Sequence, residues 1–338
     1  KSGHLSEQDP NSAPMRRRHV PCISCLVLVA AVLLSGCSAP GSPQDHSPVM
    51  TPDTLAGFVH EAAGFADRAG KEAALSEFNR EDGAFSRGDL YIYAYDYHGT
   101  LLAHPYQRES VGTNRLDWTD IRGLPAIRIG AHVASQGGGF ITYLYPAPSP
   151  GGINESSLEA YVPKIGYVSP AGEDWWIASG IYFSGLDGEG PEGYPRAVGE
   201  MVSLVERGAA YGREHGEEAA CEEISNASGL FVDADAHYLY AYDFNGTLLA
   251  HPHLKDAIGT SLIERTDPFG MKNIQALADT ARSGGGFIVF VWPNPGRENR
   301  QEMKIGYVLP VDDRWWLGSG VYLSEVTGID TSFPLPNP

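Results

Sequence analysis

The sequence predicts an α+β fold built twice in tandem, each copy a leading helix followed by an antiparallel sheet. Three observations predict it. First, the chain repeats itself: residues 91–105 read YIYAYDYHGTLLAHP and residues 238–252 read YLYAYDFNGTLLAHP, identical at 12 of 15 positions. The echo continues in the same order through SQGGGFITYLYP (135–146) and SGGGFIVFVWP (283–293), then KIGYVSPAGEDWWIASGIYFS (164–184) and KIGYVLPVDDRWWLGSGVYLS (304–324). A spacing near 140 residues is too long for a solenoid, whose units run roughly 20–50 residues, and suits a whole domain. Second, apolar residues at helical spacing open each copy. Third, the echoed segments alternate with a period of two, as half-buried strands do.

The elements follow in order. Leu55, Phe58, Val59, Ala62, Phe65, Ala66 and Ala69 form one face of a helix, with Asp53 or Thr54 as its cap. Gly70 interrupts it, and KEAALSEF (71–78) reads as a second short helix. Met201, Leu204, Val205, Gly208, Tyr211 and Gly212 mark the same face in copy two. Tyr91, Tyr93 and Tyr95 alternate with Ile92, Ala94 and Asp96 on a strand, Asp96–Gly99 make a tight turn, and Leu101–His104 return antiparallel. Pro105 ends that strand because it has no N–H for the ladder. A polar loop (106–125) and a helix (124–135) come next, then Gly137–Gly139 lead into strand 140–145. Two further strands, 164–169 and 175–182, flank a Pro-containing turn. Domains are thus expected at 55–185 and 197–325, with a linker at 186–196 and a tail at 326–338. Each is large enough to fold alone.

The N-terminus reads as a processing signal. Residues 1–14 precede Met15 and look extraneous or a mis-set start. Residues 15–36 combine Arg16–Arg18 with an apolar run, Val20 to Leu34, shorter than the roughly 20 residues that span a membrane. The run ends Leu34-Ser35-Gly36-Cys37, similar to a prokaryotic lipobox, which makes Cys37 the expected lipidation site; a plain secretory signal is the alternative. Residues 37–54, rich in Pro, Ser and Gly, read as a flexible tether. The C-x-x-C pair at Cys22 and Cys25 lies within the signal and carries no redox or zinc reading. Cys221 aligns with Leu75 and reads as a buried thiol in a helix. The net charge is −18, and removing Lys1, three arginines, Glu7 and Asp9 takes it to −20. Such acidity argues against nucleic acid as a partner.

The pattern D-x-x-G-T-L-L-A-H-P, I/V-G-T, G-G-G-F, K-I-G-Y-V and a closing G-x-Y, behind a leading helix, resembles the Cache family. More narrowly it resembles single-Cache type-2 domains, over residues 55–185 and 197–325. The resemblance implies a PAS-like antiparallel sheet with a pocket for a small organic acid or amino acid, set in an extracytoplasmic sensor. It implies no cofactor. Signalling would pass to a separate membrane partner: a transmembrane sensor kinase, a chemoreceptor or a transporter. The competing reading is a surface lipoprotein whose ligand-free modules dock to other proteins.

Candidate site residues come in pairs. Lys164 and Lys304 are either carboxylate anchors or solvated strand ends. His104 and His251 either contact ligand or close the hairpin with a structural hydrogen bond; no second His or Cys is spaced to complete a metal site. Tyr93 and Tyr95, with Tyr240 and Tyr242, face either helix or pocket. Tyr143 becomes Phe290 in copy two, a loss of one hydroxyl that predicts unlike pockets. Tyr182 and Tyr322 either close the pockets or pack in the core. Trp175-Trp176 and Trp315-Trp316 should send one ring to each side of the sheet. The triple glycine precedes a strand and lacks a following Lys-Ser/Thr, so it is a turn rather than a phosphate loop. No G-x-S-x-G elbow is present, and the chain reads as a non-enzyme. Asp117, Asp120, Glu264 and Asp267 read as surface loop acids, and Asn154, Asn226 and Asn245 match glycosylation triplets.

Overall fold

The computed structural model describes residues 50–335 except 147, 150–151, 154–160, 187–193 and 234–236. The signal segment, Cys37, most of the tether, most of the linker and Asn154 lie outside the described residues. Copy one begins with α1 (Pro52–Ala69), which starts inside the expected tether. Its cap is Thr51, not Asp53 or Thr54: the Thr51 hydroxyl accepts from the Thr54 N–H while the Thr54 hydroxyl accepts from the Thr51 N–H. That reciprocal box satisfies two donors that a bare helix start leaves open. Next come α2 (Lys71–Phe78), β1 (Ser86–Arg87), β2 (Leu90–Tyr91), β3 (Tyr93–Asp96) and β4 (Leu101–Ala103). They are followed by α3 (Ala126–Ser135), β5 (Gly139–Pro146), β6 (Pro148–Ser149), β7 (Gly152–Ile153), β8 (Tyr161–Pro170) and β9 (Trp175–Tyr182). Copy two repeats the plan with α4 (Arg196–His215), α5 (Glu217–Ile224), β10 (Tyr240–Asp243), β11 (Leu248–Ala250), α6 (Asn273–Arg282), β12 (Gly286–Asn294), β13 (Arg300–Pro310) and β14 (Trp315–Tyr322). A short helix, α7 (Leu323–Thr327), follows.

Each copy folds into a five-stranded antiparallel sheet, ordered β4-β3-β9-β8-β5 and β11-β10-β14-β13-β12. The registers match: Tyr95 pairs with Trp176 as Tyr242 does with Trp316, and Lys164 pairs with Tyr182 as Lys304 does with Tyr322. The period of two sorts side chains by face. The long helices α1 and α4 cover one face, where Ile92, Ala94 and Trp175 are buried in copy one and Leu317 and Trp315 in copy two. The opposite face carries the tyrosine row and is covered by α3 or α6; the Trp176 ring lies 3.0 Å from where a Cβ on Gly130 of α3 would stand. Both Trp pairs are buried. The triple glycines are required by geometry: Gly138 has φ +97 and Gly285 φ +95, and a Cβ there would meet a carbonyl oxygen of the neighbouring strand at 2.6 and 2.5 Å.

The two copies touch. One buried cluster runs from Leu55 through the first sheet to Phe290, Met303 and Phe333 of the second copy. The Thr142 N–H on edge strand β5 donates to Met303 Sδ on β13 at 3.2 Å, and Arg122 donates to the Ser283 hydroxyl at 3.1 Å. The segment expected as a tail is part of the fold as far as Leu335: Thr331 and Phe333 are buried, and His132 of α3 bonds the Pro334 carbonyl at 3.0 Å. Glu302 anchors it. This fully buried carboxylate accepts from Asn294, the Ser324 N–H and the Thr331 hydroxyl. Among the described residues no helix is long and apolar enough to cross a membrane.

Asp120 and Asp267 correct the surface reading of the loop acids. Both are buried, and each holds its loop from within: Asp120 accepts from the N–H groups of Arg122, Leu124 and Leu144, and Asp267 from those of Phe269 and Met271. Burial pushes the Asp120 carboxyl up to about 6 against the pull of those three donors. Asp117 and Glu264 do lie at the surface, paired with Arg128 and Lys272. Cys221 sits half-buried in α5, and burial with Glu217 nearby pushes its thiol up to about 12.

Candidate functional site

Under α3, the tyrosine face of the first sheet encloses a cavity of ≈ 40 Å³, and under α6 its counterpart encloses ≈ 30 Å³. The sequence-predicted residues Tyr93, Tyr95, His104, Tyr143 and Lys164 all line the first. Tyr240, Tyr242, His251, Phe290 and Lys304 line the second. The tyrosine–tryptophan stack recurs in both, Tyr95 on Trp176 at 5.2 Å and Tyr242 on Trp316 at 5.2 Å, although only Trp176 reaches its cavity.

The lysines are not solvated strand ends. Lys164 is 2 % exposed and Lys304 5 %. Each stem crosses a neighbouring strand where only glycine leaves room: a Cβ on Gly180 would fall 2.9 Å from Lys164 Cε, and one on Gly320 2.8 Å from Lys304 Cε. The Lys164 ammonium lies over the rings of Tyr91, Tyr145 and Tyr182 at 5.0, 5.2 and 4.8 Å, and donates to the Tyr91 hydroxyl at 3.3 Å. Lys304 lies over Tyr238 and Tyr322 at 5.5 and 4.5 Å. Among the described residues neither ammonium forms an ion pair with a carboxylate, although Asp89 acts on Lys164, and Glu325 and Glu302 on Lys304, from farther off. Burial pushes both down to about 8. Ring faces recover part of the lost hydration of a cation, but a buried unpaired charge remains costly.

Tyr182 and Tyr322 do not line the cavities. Their hydroxyls donate to the Pro146 and Pro293 carbonyls at 2.7 and 2.8 Å, and their rings back the lysines. Both histidines make structural hydrogen bonds while their rings line the cavities. His104 Nδ1 accepts from the Tyr106 N–H at 3.1 Å, and His251 Nδ1 from the N–H groups of His253 and Leu254. That bond fixes the turn after the strand rather than closing the hairpin expected from the sequence, and it assigns the ring proton to Nε2. Burial, then Lys164 and Arg115, push His104 down to about 3; burial, then His253 and Lys304, push His251 down to about 4. Both rings are therefore neutral donors across physiological pH.

Residues beyond the predicted set complete the first cavity. Arg115 donates to Gln107 Oε1 at 3.0 Å, and Gln107 Nε2 donates to the Tyr145 hydroxyl at 2.8 Å; all three line the cavity with Trp118 and Tyr91. Gln107, Arg115 and Trp118 lie in the loop where the two copies differ most, so the repeat gave no signal for them, whereas Tyr91 and Tyr145 lie in the repeated strands. The corresponding positions in copy two are Leu254, Leu262 and Trp292, with Arg265 in place of Trp118. The Arg265 guanidinium stacks on Trp292 at 3.9 Å. The Tyr143 hydroxyl meets that of Tyr93 at 3.3 Å, whereas Phe290 leaves the buried Tyr240 hydroxyl without a hydrogen-bond partner among the described residues.

Comparison with known proteins fits this architecture. Residues 66–192 and 198–330 each match the family described as Single Cache domain 2. Over 111 residues the chain is 34 % identical to the sensor histidine kinase MctS of Rhizobium johnstonii, a match covering 32 % of this chain and 24 % of that protein. The chain thus spans about a quarter of that relative's length. A methyl-accepting chemotaxis protein from Vibrio parahaemolyticus is 26 % identical, with a TM-score of 0.33, over 38 % of this chain and 90 % of that one. A Cache chemosensory domain whose structure is described for carboxylic acid recognition is 22 % identical, with a TM-score of 0.29, over 38 % of this chain and 86 % of that one. Domains of this family are extracytoplasmic sensory modules that bind small molecules. With two consecutive matches spanning most of its length, the chain belongs to the single Cache domain 2 family.

Proposed function

We propose that the protein is a lipid-anchored extracytoplasmic binding protein that senses a small organic acid or amino acid and passes the signal to a separate membrane partner. One observation carries the ligand reading: each cavity holds a buried lysine with no carboxylate paired to it among the described residues. A bound carboxylate supplies the missing counter-charge, and the neutral His104 Nε2–H and tyrosine hydroxyls supply further donors to its oxygens. Cavity size favours short acids over most amino acids. A single water needs at least ~10–15 Å³ counted the same way, so ≈ 40 Å³ holds a group of only a few heavy atoms. Arg115 adds a second cation to the first cavity, which makes it the stronger carboxylate site. The anchor rests on the Leu-Ser-Gly-Cys sequence ending at Cys37, and the separate partner on the family's place in sensory systems. The reading is of a binding module, not a catalyst.

Calorimetry of the whole soluble chain with acetate, propionate, lactate, pyruvate, alanine and glutamate tests the ligand class. Short monocarboxylates should bind, and the double variant Lys164→Met, Lys304→Met should bind none. Carboxylate binding that survives in that double variant overturns the reading.

A further inference from the structure

We infer that the two pockets divide short acids by chemical class: the second takes plain monocarboxylates, and the first takes monocarboxylates that carry an additional oxygen on C2. This deepens the carboxylate reading above and rests on it. The difference is written in the walls. In the second pocket the polar groups are the Lys304 ammonium, the His251 ring N–H and the hydroxyls of Tyr238, Tyr240 and Tyr242, which repeat Lys164, His104, Tyr91, Tyr93 and Tyr95 of the first. The Tyr240 hydroxyl is buried without a partner among the described residues, and native proteins rarely leave such a group unpaired. This shared set suits one carboxylate, whose two oxygens accept about four hydrogen bonds. Beyond it the wall consists of Leu254, Ile274, Leu277, Phe290 and Trp292.

The first pocket has polar groups at the corresponding places. Gln107, Tyr143 and Tyr145 stand where copy two has Leu254, Phe290 and Trp292, and Arg115 joins them. The observed bonds leave Arg115 and Gln107 further N–H groups. There Tyr93 also has its partner in Tyr143. A second ligand oxygen is therefore received in the first pocket. In the second, Leu254, Phe290 and Trp292 stand at those places, so an oxygen directed there loses the partners that the first pocket offers, and a polar group buried without a partner weakens binding substantially. The smaller volume of the second cavity, ≈ 30 against ≈ 40 Å³, acts in the same direction.

The test uses the full soluble chain with one pocket disabled at a time, titrated calorimetrically with propionate and with lactate, which differ by one hydroxyl. In Lys164→Met, which leaves the second pocket, propionate should bind at least about tenfold tighter than lactate. In Lys304→Met, which leaves the first, lactate should bind at least as tightly as propionate. Adding Tyr240→Phe to Lys164→Met should weaken propionate about tenfold without lowering the ligand-free Tm, because the lost hydroxyl has no partner in the ligand-free fold. Lactate binding equal to or tighter than propionate in Lys164→Met overturns the inference, as does unchanged propionate affinity on adding Tyr240→Phe. Absence of propionate binding in Lys164→Met, when the wild type binds acids, also overturns it. Failure of every acid to bind the wild type overturns the carboxylate reading itself, a separate outcome.

Discussion

His237 should make the stability of this protein fall as the pH rises from 6.5 to about 9. Its ring is 5 % exposed and lies between two carboxylates: Nδ1 meets Asp233 at 2.9 Å and Nε2 meets Glu325 at 3.0 Å. The Glu325 hydrogen bond, opposed by burial and aided by the Asp233 charge, raises the imidazole from its ordinary 6.5 to about 9. A raised folded-state pKa adds stability that is fully present below about 6.5 and lost as pH climbs through about 9. The shift of about 2.5 units corresponds to about 3 kcal/mol at roughly 1.4 kcal/mol per unit. Solvent screening trims this, since the two carboxylates are 30 % and 34 % exposed. Lys164 and Lys304 act in the opposite direction. Their folded-state pKa of about 8 lies below the ordinary 10.5, so the unfolded chain binds more protons between those values and stability rises with pH there. The wild-type profile alone therefore mixes two opposed trends. The comparison that separates them is His237→Leu, since leucine stands at this position in copy one as Leu90. Urea unfolding of both proteins from pH 6 to pH 10 should show a stability gap that narrows by about 2–3 kcal/mol across the range. A gap of constant size would refute the argument.

Four further outcomes are expected. Asp120→Ala strips three backbone N–H groups of their acceptor and should cost about 3 kcal/mol or more in urea unfolding, whereas Asp120→Asn, which keeps Oδ1 for Arg122 and Leu124 but turns an NH2 donor toward the Leu144 N–H, should cost less, about 1–3 kcal/mol. Gly138→Ala should destabilise by well over ~1 kcal/mol, because its φ is +97 and the new Cβ would lie 2.6 Å from the Val168 carbonyl oxygen; Gly137→Ala, with open space around it, should lower the Tm less. With its thiol pushed up to about 12, Cys221 should react with a disulfide reagent at pH 8 at least a hundredfold slower than free cysteine, whose pKa is about 8.5. Cys37→Ser should move the protein from the membrane to the soluble fraction of its host, and retention of the variant in the membrane would remove the proposed anchor.

The sequence was legible where the two copies agree and where periodicity is strong. The strand Trp175–Tyr182 and the helix Lys71–Phe78 lie where the pattern placed them, because alternation and glycine punctuation are local signals. The pocket face was half legible: the tyrosine row is periodic, but which face a helix covers is a tertiary fact. Lysine burial was not legible, because it depends on Gly180 and Gly320 of the neighbouring strands making room for the stem. The buried role of Asp120 and Asp267 did have a signal. TD-x-x-G recurs at 119–123 and 266–270 within loops that otherwise differ, and an Asp followed by a Gly three residues on suits a turn closed by the carboxylate. Arg115 and Gln107 had none: single loop residues without counterparts are placed by the fold alone. The closing tyrosines fell between the two readings, since each uses its hydroxyl on a carbonyl and its ring on a lysine.

The matched registers of the two sheets bear on how the chain finds its fold. Strands β3 and β10 are both Tyr-Ala-Tyr-Asp, and they pair with β9 and β14 through nearly the same partners. During refolding, each strand therefore meets two acceptors of similar strength, one in its own half and one some 140 residues away. Tandem domains this alike are prone to exchange strands. Discrimination falls to small differences, such as Ala178 against Gly318: a methyl at the second position would press to 2.7 Å from Val308 Cγ1. Larger differences lie in His237, in Glu302 near the start of β13 and in the segment that returns to His132. A refolding chain should therefore show a slow phase from mispaired halves, with an amplitude that grows when those contacts are weakened. The segment that returns to His132 thus both joins the copies and tells them apart.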